Sequence, residues 1–201
     1  MKRFLYLISP SKINVNFYKD LEDILSTKKV KYFQIRLKKY SDSKIIRISK
    51  KVRALTKKYK VKLIINDSPV LAKKINADGC HLGQSDVSIK DSKNLLKKEK
   101  IIGITCHGSK KLILNAIKEK PSYIALGSFF KSRLKPNAKR AQKNLVKWCR
   151  QRTSLPIVAI GGINNKNYKK LIRLGAKYIA ISSFIWDNPK LKPELAIKKF
   201  K

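Results

Sequence analysis

The chain has 201 residues, 49 of them Lys or Arg and 12 Asp or Glu, a formal net charge of +37 with both histidines neutral. That length suits one domain, residues 1–201, and with 43% apolar residues it can build a substantial core. No run approaches the roughly 18 to 20 apolar residues of a membrane span, which excludes a transmembrane protein.

Met1-Lys2-Arg3 precedes the first apolar stretch, Phe4 to Ile8, which ends at Ser9-Pro10 without a small-residue cleavage site. It reads as a strand and not a signal peptide, so the expected compartment is the cytoplasm. Tyr32 to Ile35 reads as a second strand. After it, Ile45, Ile48, Val52, Leu55 and Tyr59 return every three or four residues, which predicts a helix over Asp42 to Tyr59. Further strands are expected at Val61 to Ile65, Gly79 to Leu82, Ile101 to Ile104, Tyr123 to Leu126, Ile157 to Ile160 and Tyr178 to Ile181. Ser68-Pro69 supplies a cap and a first-turn proline for the third helix. Asn164 or Asn165 is positioned to cap the helix containing Tyr168, Leu171 and Ile172, which Gly175 stops. Stretches such as Leu63-Ile64-Ile65 and Ile157-Val158-Ala159-Ile160 are apolar throughout, as befits parallel strands covered by helices. Eight such units of about 25 residues predict a compact (β/α)8 TIM barrel. The alternative, an open doubly wound sheet, lacks its Gly-x-Gly-x-x-Gly turn, since Ser9-Pro10-Ser11 follows the first strand.

In a barrel, the strand ends that lead into βα loops form the active face. After the second strand, alternation sends Gln34, Arg36 and Lys38 to one side and Ile35 and Leu37 to the other. An inward Arg and Lys there suit an anion, the alternatives being an interior ion pair or an exposed end. The third strand ends in Asn66-Asp67, and Gly83-Gln84-Ser85-Asp86 follows the fourth. Asp67 and Asp86 offer hard oxygen ligands for magnesium, which keeps several waters and completes its shell with substrate phosphates. Either could instead cap a nearby helix, Asp67 beside Ser68-Pro69 and Asp86 near Ser88. Asp78 reads as serving the turn into the fourth strand. His81 lies within that strand and reads as a hydrogen-bonded core residue. Thr105-Cys106-His107 ends the fifth strand, where a hydroxyl and an imidazole could orient a substrate or move a proton.

Gly161-Gly162 follows the seventh strand and Ser182-Ser183 the eighth. Loops 7 and 8 are the usual phosphate-binding pair of this architecture, glycine allowing close backbone approach. The link after the sixth strand, Gly127 to Pro136, carries Lys131, Ser132, Arg133 and Lys135; it could close over a diphosphate or be a solvated basic loop.

These residues resemble the thiamine-phosphate synthase family, (β/α)8 barrels that join a pyrimidine methyl diphosphate to a thiazole phosphate with loss of pyrophosphate. The similarity rests on QIRLK at 34 to 38, INDSPVLAKKINADGCHLGQSD at 65 to 86, GITCH at 103 to 107, GSFF from 127, PIVAIGGI at 156 to 163 and GAKYIAISS at 175 to 183. The resemblance implies that Gln34, Arg36, Lys38 and Asn66 hold the pyrimidine diphosphate and that Asp67 and Asp86 bind Mg2+. It implies Thr105 near the pyrophosphate, Ser132 and Lys135 in the loop over it, and Gly162 with Ser182 and Ser183 on the thiazole phosphate. The chain departs from the family pattern at Leu134, where the loop's second threonine is expected, and at Lys131, where a proline is usual. The implied mechanism is dissociative: magnesium, Arg36, Lys38 and Lys135 stabilise the departing pyrophosphate, and the thiazole nitrogen captures the resulting cation.

The related thiazole tautomerases share the barrel and phosphate loops, with His107 as candidate base, but have no diphosphate for Asp67 and Asp86 to serve through a metal. A basic nucleic-acid-binding module is the third reading. Against it, 40 of the 49 basic residues are lysines spread from Lys2 to Lys201, so no nucleic-acid partner is expected. Cysteines at 80, 106 and 149 lack the pairing of a zinc site or of a secreted disulfide framework.

Overall fold

The structure, a computed structural model, describes residues 3–97, 99–131 and 139–201. Eight parallel strands, β1 (Leu5–Ile8), β2 (Val30–Ile35), β3 (Lys62–Asn66), β4 (Gly79–Leu82), β5 (Ile101–His107), β6 (Tyr123–Leu126), β7 (Ile157–Ala159) and β8 (Tyr178–Ile181), follow one another around a closed barrel. The seam is a parallel pairing of β1 with β8, Leu5 opposite Ile179. Outside lie α1 (Phe17–Ser26), α2 (Asp42–Lys58), α3 (Pro69–Lys74), α4 (Ile89–Leu95), α5 (Lys110–Glu119), α6 (Asn144–Arg150), α7 (Tyr168–Arg173), α8 (Ser183–Trp186) and α9 (Pro193–Lys198). The chain is therefore a (β/α)8 barrel, as its apolar periodicity predicts. Among the described residues no helix is long and apolar enough to cross a membrane.

Both faces of each strand are buried, which explains their composition. Leu5 and Leu7, Ile124 and Leu126, Ile179 and Ile181 face outward into one continuous layer shared with the helices. Their neighbours Tyr6 and Ile8, Tyr123 and Ala125, Tyr178 and Ala180 point inward, with Val158, and fill the barrel. Tyrosine rings make up much of that filling: Tyr6 meets Tyr123 edge-on at 5.7 Å between centroids, and Tyr32 meets Tyr178 at 5.0 Å. Gly103 creates the space for one of them, since a Cβ there would lie 2.0 Å from Tyr123 Cζ. Cys80, Cys106 and Cys149 are free and buried in the outer layer, where desolvation pushes their thiols up to about 12, 12 and 11.

Helix ends follow from local chemistry. Ser68 accepts a hydrogen bond from Leu71 N, and Pro69 opens α3, as expected. α7 differs. It begins at Tyr168 with Asn167 in the cap position, because Asn164 instead closes a preceding turn through Oδ1 and Lys166 N. Gly175 stops α7 with φ +106°. Asp78 does more than shape a turn. It accepts from Leu63 N at 2.9 Å, pairs with Lys62 at 3.2 Å and forms an ion pair with Arg53 of α2. Burial alone would raise its carboxyl, but the Leu63 amide, Arg53 and Lys62 outweigh it and hold the group below its ordinary value. This tie lies where β4 begins, at the barrel end opposite the loops that follow the strands.

Candidate active site

The polar residues expected on the active face lie at the C-terminal strand ends. Gln34 points inward and is 2% exposed, while Ile35 and Leu37 enter the outer layer, as the alternation predicts for these three residues. Ser9, buried and not singled out by the sequence, orders this segment. Its N–H donates to Gln34 O at 2.9 Å and its Oγ accepts from Arg36 N at 3.0 Å. Ser182 Oγ donates to Ser9 O at 3.1 Å, tying the loop after β8 to the same point.

Charges meet at this rim. Lys38 Nζ is 3.1 Å from Asp67 Oδ2, whereas the guanidinium of Arg36 pairs with no carboxylate among the described residues. Neither aspartate caps a helix: Ser68 caps α3 and Ser88 caps α4. Asp67 N donates to His81 O at 2.7 Å, which fixes Asp67 in the left-handed region at φ 63°. Asp86 Oδ2 accepts from Gly83 N at 2.6 Å. Burial pushes the Asp86 carboxyl up, Gly83 N–H opposes this, and the adjoining Asp67 carboxyl raises it again. Two carboxylates in contact resist both being ionised, and a divalent cation between them removes that conflict. Among the described residues no group of three or more His, Cys, Asp or Glu converges on a metal position. Asp67 and Asp86 offer two hard carboxylate donors, a set whose chemistry is compatible with magnesium when water and a phosphorylated substrate supply the other oxygens.

Deeper in, His81 is 8% exposed and stacks on Tyr123, rings 8° from parallel. Its Nδ1 is 2.9 Å from Tyr123 OH and its Nε2 2.7 Å from Thr105 Oγ1. Burial drives its pKa down to about 4, with Asp67 opposing and Arg36 reinforcing the shift, so the ring is neutral near pH 7. Thr105 is half-buried at the rim, and Gln84 Nε2 donates to its carbonyl at 2.5 Å. β5 runs three residues past the expected end, through a register shift that leaves Cys106 buried and His107 exposed at φ 50°.

On the other side of the mouth, Gly161 and Gly162 have φ +100° and +62° and pack against the loop after β6. A Cβ on Gly161 would lie 2.0 Å from Ser128 Oγ, and one on Gly162 2.3 Å from Lys131 O. Phe129 N and Phe130 N donate to Ile160 O and Gly161 O, at 3.1 and 3.0 Å. The double glycine thus serves loop packing as well as an open backbone. Asn66 ends β3, half-buried, and Ser183 opens α8, half-buried. Ser132, Leu134 and Lys135 lie outside the described residues.

Tyr6, Ser9, Gly103 and Tyr123 complete the site but do not announce themselves in the sequence. The available signal is a phenol in an otherwise aliphatic strand, because a buried hydroxyl needs a partner. Residues 5–185 match the family described as thiamine monophosphate synthase. The chain is 50% identical over 201 residues to the thiamine-phosphate synthase of Pelagibacter ubique, covering 100% of this chain and 97% of that protein. It is 38% identical over 188 residues to the thiamine-phosphate synthase of Erythrobacter litoralis, covering 92% and 88%. Among solved structures, thiamine phosphate pyrophosphorylase from Pyrococcus furiosus superposes with a TM-score of 0.87 at 25% identity, covering 98% of this chain and 93% of that one.

Proposed function

Because the chain belongs to the thiamine monophosphate synthase family and so condenses a pyrimidine methyl diphosphate with a thiazole phosphate to give thiamine phosphate and pyrophosphate, we propose that its charged rim is where the diphosphate departs. One observation carries this reading: the Asp67 carboxyl pairs with Lys38 and adjoins that of Asp86, while Arg36, unpaired among the described residues, acts together with Asp67 on the charge of His81. Opposite charges gathered at a barrel mouth suit a polyanion held through a divalent cation. Gln34 and Asn66 bind the pyrimidine diphosphate, with Thr105 near its pyrophosphate; Ser132 and Lys135 contribute a hydroxyl and a positive charge to the same group. Gly162, Ser182 and Ser183 hold the thiazole phosphate.

The residues fit magnesium through Asp67 and Asp86, and the ion would supply positive charge to phosphate oxygens. Arg36 and Lys38 stabilise negative charge as the bond from the pyrimidine methylene to oxygen breaks, and Lys135 adds to them. The thiazole nitrogen then forms the new bond to that methylene. In this dissociative course, preorganised charge and alignment provide the acceleration, and no strong base is required. A neutral, buried His81 fits that requirement. The reading takes residues 1–201 as one barrel domain and the cytoplasm as its compartment, supported by the β1 to β8 seam and by three free, buried cysteines.

The test is purified protein with the pyrimidine diphosphate and thiazole phosphate, with and without magnesium, following pyrophosphate and coupled product together. Magnesium-dependent, equal release of both is expected. Isomerised thiazole without coupling would overturn the assignment in favour of a tautomerase.

A further inference from the structure

Five polar groups form one line across the barrel interior. Gln34 Nε2 donates to Tyr6 OH at 2.8 Å, the Tyr6 and Tyr123 hydroxyls are 2.8 Å apart, Tyr123 OH is 2.9 Å from His81 Nδ1, and His81 Nε2 is 2.7 Å from Thr105 Oγ1. Four links need four protons. Five are present, one each from the amide, the three hydroxyls and the neutral imidazole. One proton is therefore spare, and its position is decided by burial. With Gln34 donating, it must rest on Tyr6, Tyr123 or Thr105. Tyr6 and Tyr123 are 2% and 0% exposed, and a buried donor without an acceptor is costly. Thr105 is half-buried at the rim, where its proton can reach water or substrate.

We propose that this chain is ordered outward from Gln34, and that His81 is a positioning residue which, by donating from Nε2, fixes Thr105 Oγ1 as a donor toward an anionic phosphate oxygen of the pyrimidine diphosphate. Tyr6 donates to Tyr123 and Tyr123 to His81 Nδ1, so the tautomer is set from inside the barrel. The identity of the receiving oxygen rests on the proposed function; the order of the protons does not. A Gln34 amide turned the other way would reverse every link and leave Thr105 donating inward.

The chain has 2 histidines, so long-range proton–nitrogen spectra of the 15N-labelled full-length protein resolve both rings, and a His107→Gln sample assigns them. The expected result is the Nε2–H tautomer for His81 without substrate. An Nδ1–H tautomer, or an imidazolium at neutral pH, overturns the proposal. Kinetics supply a second arm. His81→Gln keeps one acceptor and one donor and should retain kcat/KM for the pyrimidine diphosphate within about threefold. His81→Leu should lose about tenfold or more, with KM for the thiazole phosphate unchanged. Equal losses in the two variants overturn the role of His81. Wild-type protein with the Nε2–H tautomer but no coupling activity would instead count against the substrate assignment alone.

Discussion

Lys38 Nζ stands 3.1 Å from Asp67 Oδ2 at the barrel rim, with side chains 57% and 33% exposed. A pair this open to water contributes about 0 to 1 kcal/mol to stability. Its position therefore matters more for chemistry than for folding. Asp67→Ala should abolish magnesium-dependent product formation while the protein stays folded, the melting temperature falling by only about 2 to 6 °C, chiefly because alanine is strained at φ 63°. Unchanged turnover in a coupled assay would remove Asp67 from the metal site.

Asp78 should behave in the opposite way. Asp78→Ala leaves Arg53, only 18% exposed, without its carboxylate and removes the acceptor from Leu63 N. The expected loss is about 2 to 3 kcal/mol, read from denaturant titration, with kcat per folded molecule unchanged. The sign with pH follows from the lowered carboxyl. Its stabilisation is fully present above the ordinary carboxyl value near 4, and is lost as pH falls through the lower folded-state value. Wild type should lose stability below about pH 4 more steeply than Asp78→Asn.

Gly103→Ala tests the seat of Tyr123. The added methyl would fall 2.0 Å from Tyr123 Cζ, so the ring must move and its hydroxyl leave the line to His81. Overpacking of this kind costs about 1 to 3 kcal/mol, to be read from thermal melts. The His81 nitrogen signals should shift in the same sample. Native stability and unshifted signals would mean that the ring has room to spare.

Gly162→Ala combines an unfavourable φ of +62° with a clash 2.3 Å from Lys131 O. The loop after β6 must yield. KM for the thiazole phosphate should rise about tenfold, and KM for the pyrimidine diphosphate by less. Measuring both under saturating co-substrate separates the two phosphate sites; a larger effect on the pyrimidine would reverse their assignment.

The strands were legible because a buried parallel strand needs apolar residues on both faces. Gly79–Leu82, Tyr123–Leu126 and Tyr178–Ile181 are bounded as the sequence predicts. The apolar run of β5 stops at Ile104, whereas the strand continues through Thr105-Cys106-His107 by a register shift that polar residues at a strand end do not announce. At the rim, scarce acidic residues and a two-residue alternation single out Arg36, Lys38, Asp67 and Asp86, although the same pattern also suits an ion pair, an exposed strand end or helix caps. The interior line was not legible. Tyr6 and Tyr123 stand in apolar strands with nothing in the local pattern to set them apart, and only geometry joins hydroxyls 117 residues apart in the chain. The reach of Asp78 to Arg53 escaped for the same reason, a long-range pairing with no local periodicity.

Three sulfur atoms sealed between strand and helix make this fold its own timekeeper. Each thiol stays protonated near neutral pH, so a soluble alkylating reagent attacks only when the covering structure opens. Cys80 lies on β4, Cys106 on β5 and Cys149 on α6. The order in which the three become labelled would date the loosening of each piece of the wall, without any foreign probe being introduced.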